Sequence, residues 1–385
     1  MCNPVPTAVF PATVASPRFS VIVSAHQTAP WLPKAIASVE AQTFRDFEAI
    51  FFVEESTDAS LALCQAAADR DPRFRAVSAP KSGGGGATRN YGIDHAAGEY
   101  LVFLDGDDWL APGLLAALDD KLRQTGPLDV LAFAGIDARS EDVDWRGPGR
   151  FSNFRAGDVP GVISGQDAIR RAGRNGGGFR AYTWLNAYRT AFLRGQGLYQ
   201  AVGLIMEDFE WTPRVWFAAE RFAYIDEALY AYRRRSGSLT TEASPRVAGH
   251  IASLFRSFLD YADCHAIPAD ILSIWANQWL ALLYWFLFHP VSSRKIPNPV
   301  RREALCALLA GDGAPRLRKL VARASFPRRL AWPLVRLAAC GFQFPALLFF
   351  RRLYYPLVAR HRHGSAVSNR DGVGSSSSKA SRTRP

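Results

Sequence analysis

Three closely spaced carboxylates, Asp105, Asp107 and Asp108, follow directly on a largely apolar run at residues 100–104 of this 385-residue chain. Carboxylates that crowd together repel and raise one another's pKa unless a cation lies between them. Hard cations such as Mg²⁺ and Mn²⁺ take oxygen ligands and commonly share them with a substrate's phosphates. The Asp-Gly-Asp-Asp spacing therefore reads as a metal–diphosphate site, with Gly106 allowing a sharp turn so that Asp105 and Asp107 face the same way. A plain Asp-Gly surface turn is the alternative that this stretch leaves open on its own. A second acidic pair, Glu207-Asp208, leads into a helical pattern that runs through Trp216 and Ala219. Acidic residues there either complement a helix dipole or supply a general base.

The elements that position these groups alternate in type. Residues 19–25, 47–53, 74–78 and 100–104 read as strands, and apolar spacing over 31–42, 59–68 and the stretch carrying Arg89 and Asn90 reads as helix. Ser56 or Thr57 is placed to cap the second helix. This rhythm predicts an α/β domain with a Rossmann-like, mostly parallel, doubly wound sheet and helices on both faces. Ligands bind such sheets at the carboxyl ends of the strands. A helix after Pro112, a strand over 129–136, a polar loop over 141–158 and a helix from 166 follow. Two short strands are expected at 222–225 and 228–232, and helices from 247 onward.

Charge divides the chain. The net +11 is concentrated in residues 294–362, which carry 15 Lys/Arg against 2 Asp/Glu. The tail beyond Gly364 adds +3, so everything before Arg294 nets −5, which argues against a nucleic-acid-binding core. Five widely spaced cysteines with no Cys-x-x-Cys argue against a disulfide framework or zinc site and suit a reducing compartment. Residues 1–17 read as a disordered Pro/Ala/Thr leader, not a secretory signal. Residues 364–385 read as a disordered Ser-rich tail. Residues 271–290 are the most apolar stretch, but Asn277 and Gln278 interrupt it, which favours a buried helix over a spanning one. Residues 330–358 mix aromatics with arginines and read as a surface-lying membrane segment or a helical subdomain with a basic face.

Several motifs, in order, resemble the inverting family 2 glycosyltransferases of the GT-A fold. Ser20-Val21-Ile22-Val23 resembles the family's first strand, and residues 38–48 its helix-to-strand passage. Residues 54–58 (Glu-Glu-Ser-Thr-Asp) stand where the family has Asp-Asp-Gly-Ser-Thr-Asp. Residues 83–90 resemble its Gly-rich loop ending in Ala-Arg-Asn, and residues 105–108 its Asp-x-Asp motif. Met206-Glu207-Asp208-Phe209 resembles its Glu-Asp motif, and residues 229–233 and 237–240 the end of its catalytic domain. The resemblance covers about residues 18–240 and implies a catalytic domain over 18–245, followed by a basic helical region over 246–363.

The resemblance also implies roles. Asp208 would be the base, Ser24, Glu54, Arg89, Asp105 and Asp107 would meet a nucleotide-sugar donor, and Asp107 would hold the Mn²⁺ or Mg²⁺ cofactor. His26, Asp108, Glu207 and Arg233 would be supporting groups. The residues leave alternatives beside these roles. Glu54 and Glu55 suit a polar loop, His26 a plain loop position, Asp108 a solvated helix start, and residues 233–235 an exposed basic loop. Trp184, Trp211 and Trp216 suit either core packing or flat faces for a sugar or lipid. The residues at 83–86 are no Walker loop, since no Gly-Lys-Ser/Thr follows; Lys81 and Arg89 put positive charge near the donor, and Asn90 suits a structural part. The expected function is metal-dependent, inverting sugar transfer, from a UDP-linked donor to a glycan or lipid-linked acceptor in polysaccharide biosynthesis. The basic aromatic C-terminal region would meet the inner face of the cell membrane, making the enzyme cytoplasmic and peripheral. The rivals are an inactive scaffold or glycan-binding protein, suggested by the Glu54-Glu55 run, and a sugar nucleotidyltransferase.

Overall fold

The computed structural model describes residues 16–174, 179–235, 245–288 and 297–324. Expectations for residues 330–358, for the tail and for all but the last two residues of the leader lie outside them. The chain divides into two compact units. The first comprises Met1–Ser152, Val159–Gly165 and Tyr182–Arg235; Asn153–Asp158 and Gln166–Ala181 group with the C-terminal helices in the second.

The first unit is built on the alternation read from the sequence. In chain order it runs β1 (Phe19–Ala25), α1 (Leu32–Glu40), β2 (Phe47–Glu54), α2 (Ser60–Arg70), β3 (Phe74–Ala79), α3 (Gly86–His95) and β4 (Tyr100–Asp105). Then come β5 (Trp109–Leu110), α4 (Leu114–Thr125), β6 (Val130–Ala138), β7 (Arg150–Phe151), α5 (Gly165–Arg174), which beyond Gly165 belongs to the second unit, and β8 (Asn186–Arg189). The last elements of the domain are α6 (Thr190–Gly195), α7 (Asp208–Ala218) and β9 (Phe222–Arg233).

Strands β3, β2, β1 and β4 lie side by side and parallel. The residues of β1, β2 and β4 are buried nearly throughout, as runs such as Val21–Val23 and residues 100–104 require when both faces of a strand are covered, whereas in the edge strand β3 only Phe74 is buried. The mostly parallel expectation holds for these four strands only. Beyond β4 the short strand β8 enters antiparallel, and β6 pairs antiparallel with β8 on one side and parallel with β9 on the other, so the whole sheet is mixed. The two short strands expected at 222–232 are one strand, β9, bulged against β6 where the exposed Asp226 and Glu227 interrupt its burial. The cap of α2 also differs from expectation: Asp58 Oδ1 accepts the Ser60 amide at 3.0 Å, while the Ser56 hydroxyl donates to the Glu54 carbonyl oxygen at 2.7 Å.

In the second unit α8 (Pro245–Cys264) and α9 (Ala269–Phe288) interlock through Phe255, Phe258, Trp275 and Trp279. They are followed by α10 (Asn298–Leu309) and α11 (Gly313–Arg323). Arg316 of α11 pairs with Asp260 and Asp263 of α8. No helix among the described residues is long and apolar enough to cross a membrane.

Candidate active site

Ser24, Glu54 and Asp105 arrive at one edge because they lie at the carboxyl ends of three neighbouring parallel strands. Ser24 stands opposite Asp105 in the ladder, and its hydroxyl donates to Asp105 Oδ1 at 3.0 Å. Gly106 then passes so close to β1 that a Cβ would lie 2.7 Å from the Ser24 carbonyl oxygen. Glycine is thus required at 106 by close approach, and not by a left-handed backbone.

The three carboxylates are held differently. Asp108 is 1 % exposed and its oxygens are taken up within the protein: the Tyr230 hydroxyl and the Arg233 amide each donate to it at 2.7 Å. The same Tyr230 hydroxyl accepts the Asp105 amide at 3.2 Å. Burial, and then the charges of Asp107 and Asp105, push Asp108 well above the usual carboxylate range. Asp107 is partly exposed, and its Oδ2 meets Arg235 Nε at 2.7 Å. The Arg235 guanidinium lies over the Trp31 ring, 4.2 Å from its centre. Burial and the neighbouring Asp105 raise the Asp107 carboxyl, against the pull of Arg235. Arg233 braces the turn from the backbone, its Nε donating to the Asp107 carbonyl oxygen at 2.8 Å while its guanidinium covers Trp109.

Arg89 joins the two acidic motifs. It is 7 % exposed, and one guanidinium nitrogen meets Glu207 Oε1 at 2.5 Å while the other meets Asp105 Oδ1 at 3.1 Å. Burial alone would lower its pKa, but Asp105, Glu207 and Asp208 outweigh that and raise it. Glu207 occupies the N-cap position of α7 without a side-chain cap bond, and Asp208 begins the helix. Burial pushes Glu207 up against the pull of Arg89. Burial and then the Glu207 charge push the partly exposed Asp208 up to about 8, with Arg89 opposing.

The remaining candidates have other partners or none of these contacts. Glu54 is 6 % exposed and accepts both the hydroxyl and the amide of Ser82. His26 is partly exposed, and its Nδ1 has no partner among the described residues. Lys81 is exposed. Trp211 and Trp216 are sealed in the core, which removes them as flat faces for a ligand. Trp184 is almost as deeply buried, stacked between Tyr182 and Tyr230. Sequence reasoning did not single out Gln200, Tyr230 or Trp31. Tyr230 and Gln200 contact their partners across more than a hundred residues of chain, where periodicity carries no signal.

Residues 20–182 match the family described as glycosyl transferase family 2. The chain carries a family 2 glycosyl transferase domain. Its relatives include the uncharacterized glycosyltransferase EpsJ of Bacillus subtilis, 29 % identical over 58 % of this chain and 63 % of EpsJ. The chain therefore spans a little under two thirds of that relative's length. A Campylobacter jejuni protein named GalNAc(5)-diNAcBac-PP-undecaprenol beta-1,3-glucosyltransferase is 34 % identical over 28 % of this chain and 35 % of that one. Among solved structures, a fragment of S. aureus TarS in complex with UDP-GlcNAc superposes with a TM-score of 0.64 at 20 % identity, covering 90 % of this chain and 92 % of that one. The fold is GT-A.

Among the described residues of the family 2 domain and the helices after it, no group of three or more His, Cys, Asp or Glu side chains could hold a metal. The residues present suit a different arrangement. Mg²⁺ and its like are commonly bound by one or two carboxylates together with substrate phosphates. Asp107 is a carboxylate raised by its neighbour, and the guanidinium of Arg235 already stands against it as a positive charge.

Proposed function

We propose that this protein is a metal-dependent, inverting glycosyltransferase. It moves a sugar from a UDP-linked donor to a hydroxyl of a glycan or lipid-linked acceptor in polysaccharide biosynthesis. The observation that carries the reading is Arg89, which binds Asp105 on one side and Glu207 on the other. It ties the donor end of β4 to the helix that begins with Asp208.

Asp107, with Asp105 beside it, would hold a divalent cation, Mn²⁺ or Mg²⁺, which when bound neutralises the charge gathering on the diphosphate leaving group. Ser24 and Arg89 fix Asp105, and Tyr230 with Arg233 fixes the backbone of the turn. Asp208 accepts the proton of the acceptor hydroxyl as its oxygen attacks the anomeric carbon and the bond from that carbon to the phosphate oxygen breaks. One displacement on the face opposite the leaving group inverts the anomeric centre. A base with a pKa close to the working pH both exists ionised and accepts a proton effectively, and Asp208 at about 8 meets that need. Glu54, tied to Ser82 at the end of β2, would meet the nucleotide base.

The name of the TarS complex supports UDP as the nucleotide, and the name of the Campylobacter relative supports a lipid-linked acceptor. The exposed Arg318, Lys319 and Arg323 of α11 support contact with an anionic membrane face. The catalytic domain is proposed to span 18–245 and the basic helical region 246–363. Incubating the full chain and Mn²⁺ with a panel of nucleotide sugars tests the reading. Released nucleoside diphosphate is the expected product. Released pyrophosphate, or no turnover of any donor, would overturn it.

A further inference from the structure

The glycines at 83–86 invite a role as a phosphate cradle, but their surroundings are protein. A Cβ on Gly84 would collide with the backbone carbonyl of Leu204, and one on Gly86 with that of Ala201. A Cβ on Gly85 would lie 2.7 Å from Glu207 Oε1 and closer still to the Arg89 guanidinium. One turn into α3, Asn90 reads the same segment in both directions: its Nδ2 donates to the Gln200 carbonyl oxygen at 2.9 Å, and its Oδ1 accepts the Gln200 amide at 2.8 Å. The segment so gripped, residues 200–206, ends on Met206, a non-glycine residue with φ of 71°. That backbone is strained for an L-residue by roughly 1–2 kcal/mol and needs surroundings that enforce it. The next two residues are Glu207 and Asp208.

We propose that the glycine loop at 83–86 and Asn90 form a clamp on residues 200–206 that positions Asp208 for proton transfer, so that the loop serves the acid–base end of the site. The role in catalysis rests on the reading of Asp208 as the base. Gly84 and Asn90 are positioning residues and touch no substrate. Bare backbone on one side and a two-way amide pair on the other leave the gripped segment little freedom to move, and misplacement of a reacting group by about 1 Å lowers a rate by about a hundredfold.

The test compares Asn90→Ala, Gly84→Ala and Tyr199→Phe with the parent chain. Tyr199→Phe removes only an exposed hydroxyl bond from the same stretch to Asp94. Three quantities are read: kcat with the donor that the parent turns over, binding of UDP with Mn²⁺, and hydrogen exchange across residues 200–206. Asn90→Ala is expected to lower kcat about ten- to a hundredfold and Gly84→Ala at least as much. UDP affinity should stay within threefold, exchange at 200–206 should quicken, and Tyr199→Phe should remain within twofold of the parent. Equal losses of UDP affinity and kcat would make the loop a phosphate cradle and overturn the proposal. So would an unchanged kcat in folded Asn90→Ala, the milder variant should Gly84→Ala fail to fold. Hydrogen exchange decides the clamp independently of turnover. A parent chain that releases no nucleoside diphosphate overturns the glycosyltransferase reading, while unaltered exchange in Asn90→Ala overturns the clamp itself.

Discussion

A buried arginine between two carboxylates holds both ends of this site, and the balance of charge around it sets what Asp208 can do. Arg89 lowers the pKa of Asp208, but burial and Glu207 win, leaving it at about 8 against an ordinary 3.8. The folded chain thus binds that proton more tightly than the unfolded chain does. The stability contributed by Asp208 is complete below about pH 4, fades as the pH rises and is lost above about 8. Asn at this position has nothing to lose over that range. Asp208→Asn is therefore expected to melt above the parent at pH 9, with the advantage shrinking toward pH 4 in thermal unfolding followed by circular dichroism. Its kcat should fall by about 10²–10⁴. In the parent, kcat/KM should climb with pH and level off near 8. The acidic residues themselves were legible in the sequence because their motifs are contiguous. Their partners were not: Asp107 meets Arg235 and Arg89 meets Glu207 across more than a hundred residues, and no local pattern encodes which arginine reaches which carboxylate.

At the scale of elements, β9 does work at the site that its apolar sequence does not announce. Tyr230 lies inside the strand, and its hydroxyl serves the Asp105 amide and the Asp108 carboxyl together. Tyr230→Phe keeps the ring stacked on Trp184 but removes the partner of the part-buried Asp105 amide and leaves the buried Asp108 carboxyl short of one. An unsatisfied buried group costs about 1–3 kcal/mol. A loss of stability of about that size is expected in denaturant titrations of Tyr230→Phe, with Trp184 fluorescence little changed before unfolding. Strands β1, β2 and β4 were readable because burial on both faces leaves nearly continuous apolar runs. Strand β8, four residues long, is too short to carry a period, and its antiparallel entry is a matter of topology. Strand β9 looked like two because Asp226 and Glu227 are exposed at its bulge. The cap expected of Ser56 or Thr57 is absent because α2 begins at Ser60 with Ala59 at the N-cap, while the two hydroxyls are engaged by the Glu54 carbonyl and the Gln27 side chain.

For the whole molecule, the division of charge seen in the sequence has a physical reading in α11. Leu317, Leu320 and Val321 face inward, and Arg318, Lys319 and Arg323 remain exposed. Each basic residue near an anionic surface contributes about 1 kcal/mol, screened by salt. The full chain is expected to sediment with vesicles containing phosphatidylglycerol at low salt, to be released as NaCl approaches about 0.5 M, and to ignore phosphatidylcholine vesicles. Charge reversal of Arg318, Lys319 and Arg323 should weaken the binding without altering turnover of a soluble acceptor.

The path of the chain between its two units also bears on how the protein can be handled. The backbone leaves the first unit after Ser152, returns at Val159, leaves again after Gly165 and comes back at Tyr182. A fragment cut after residue 245 would still include the stretches at 153–158 and 166–181 but not the helices they group with, among them α9, whose Ile274 packs on Gly173. Such a fragment would lose the side chain that packs on Gly173. A cut at residue 245 would sever 153–158 and 166–181 from their own compact unit, so an expression clone needs the C-terminal helices as well.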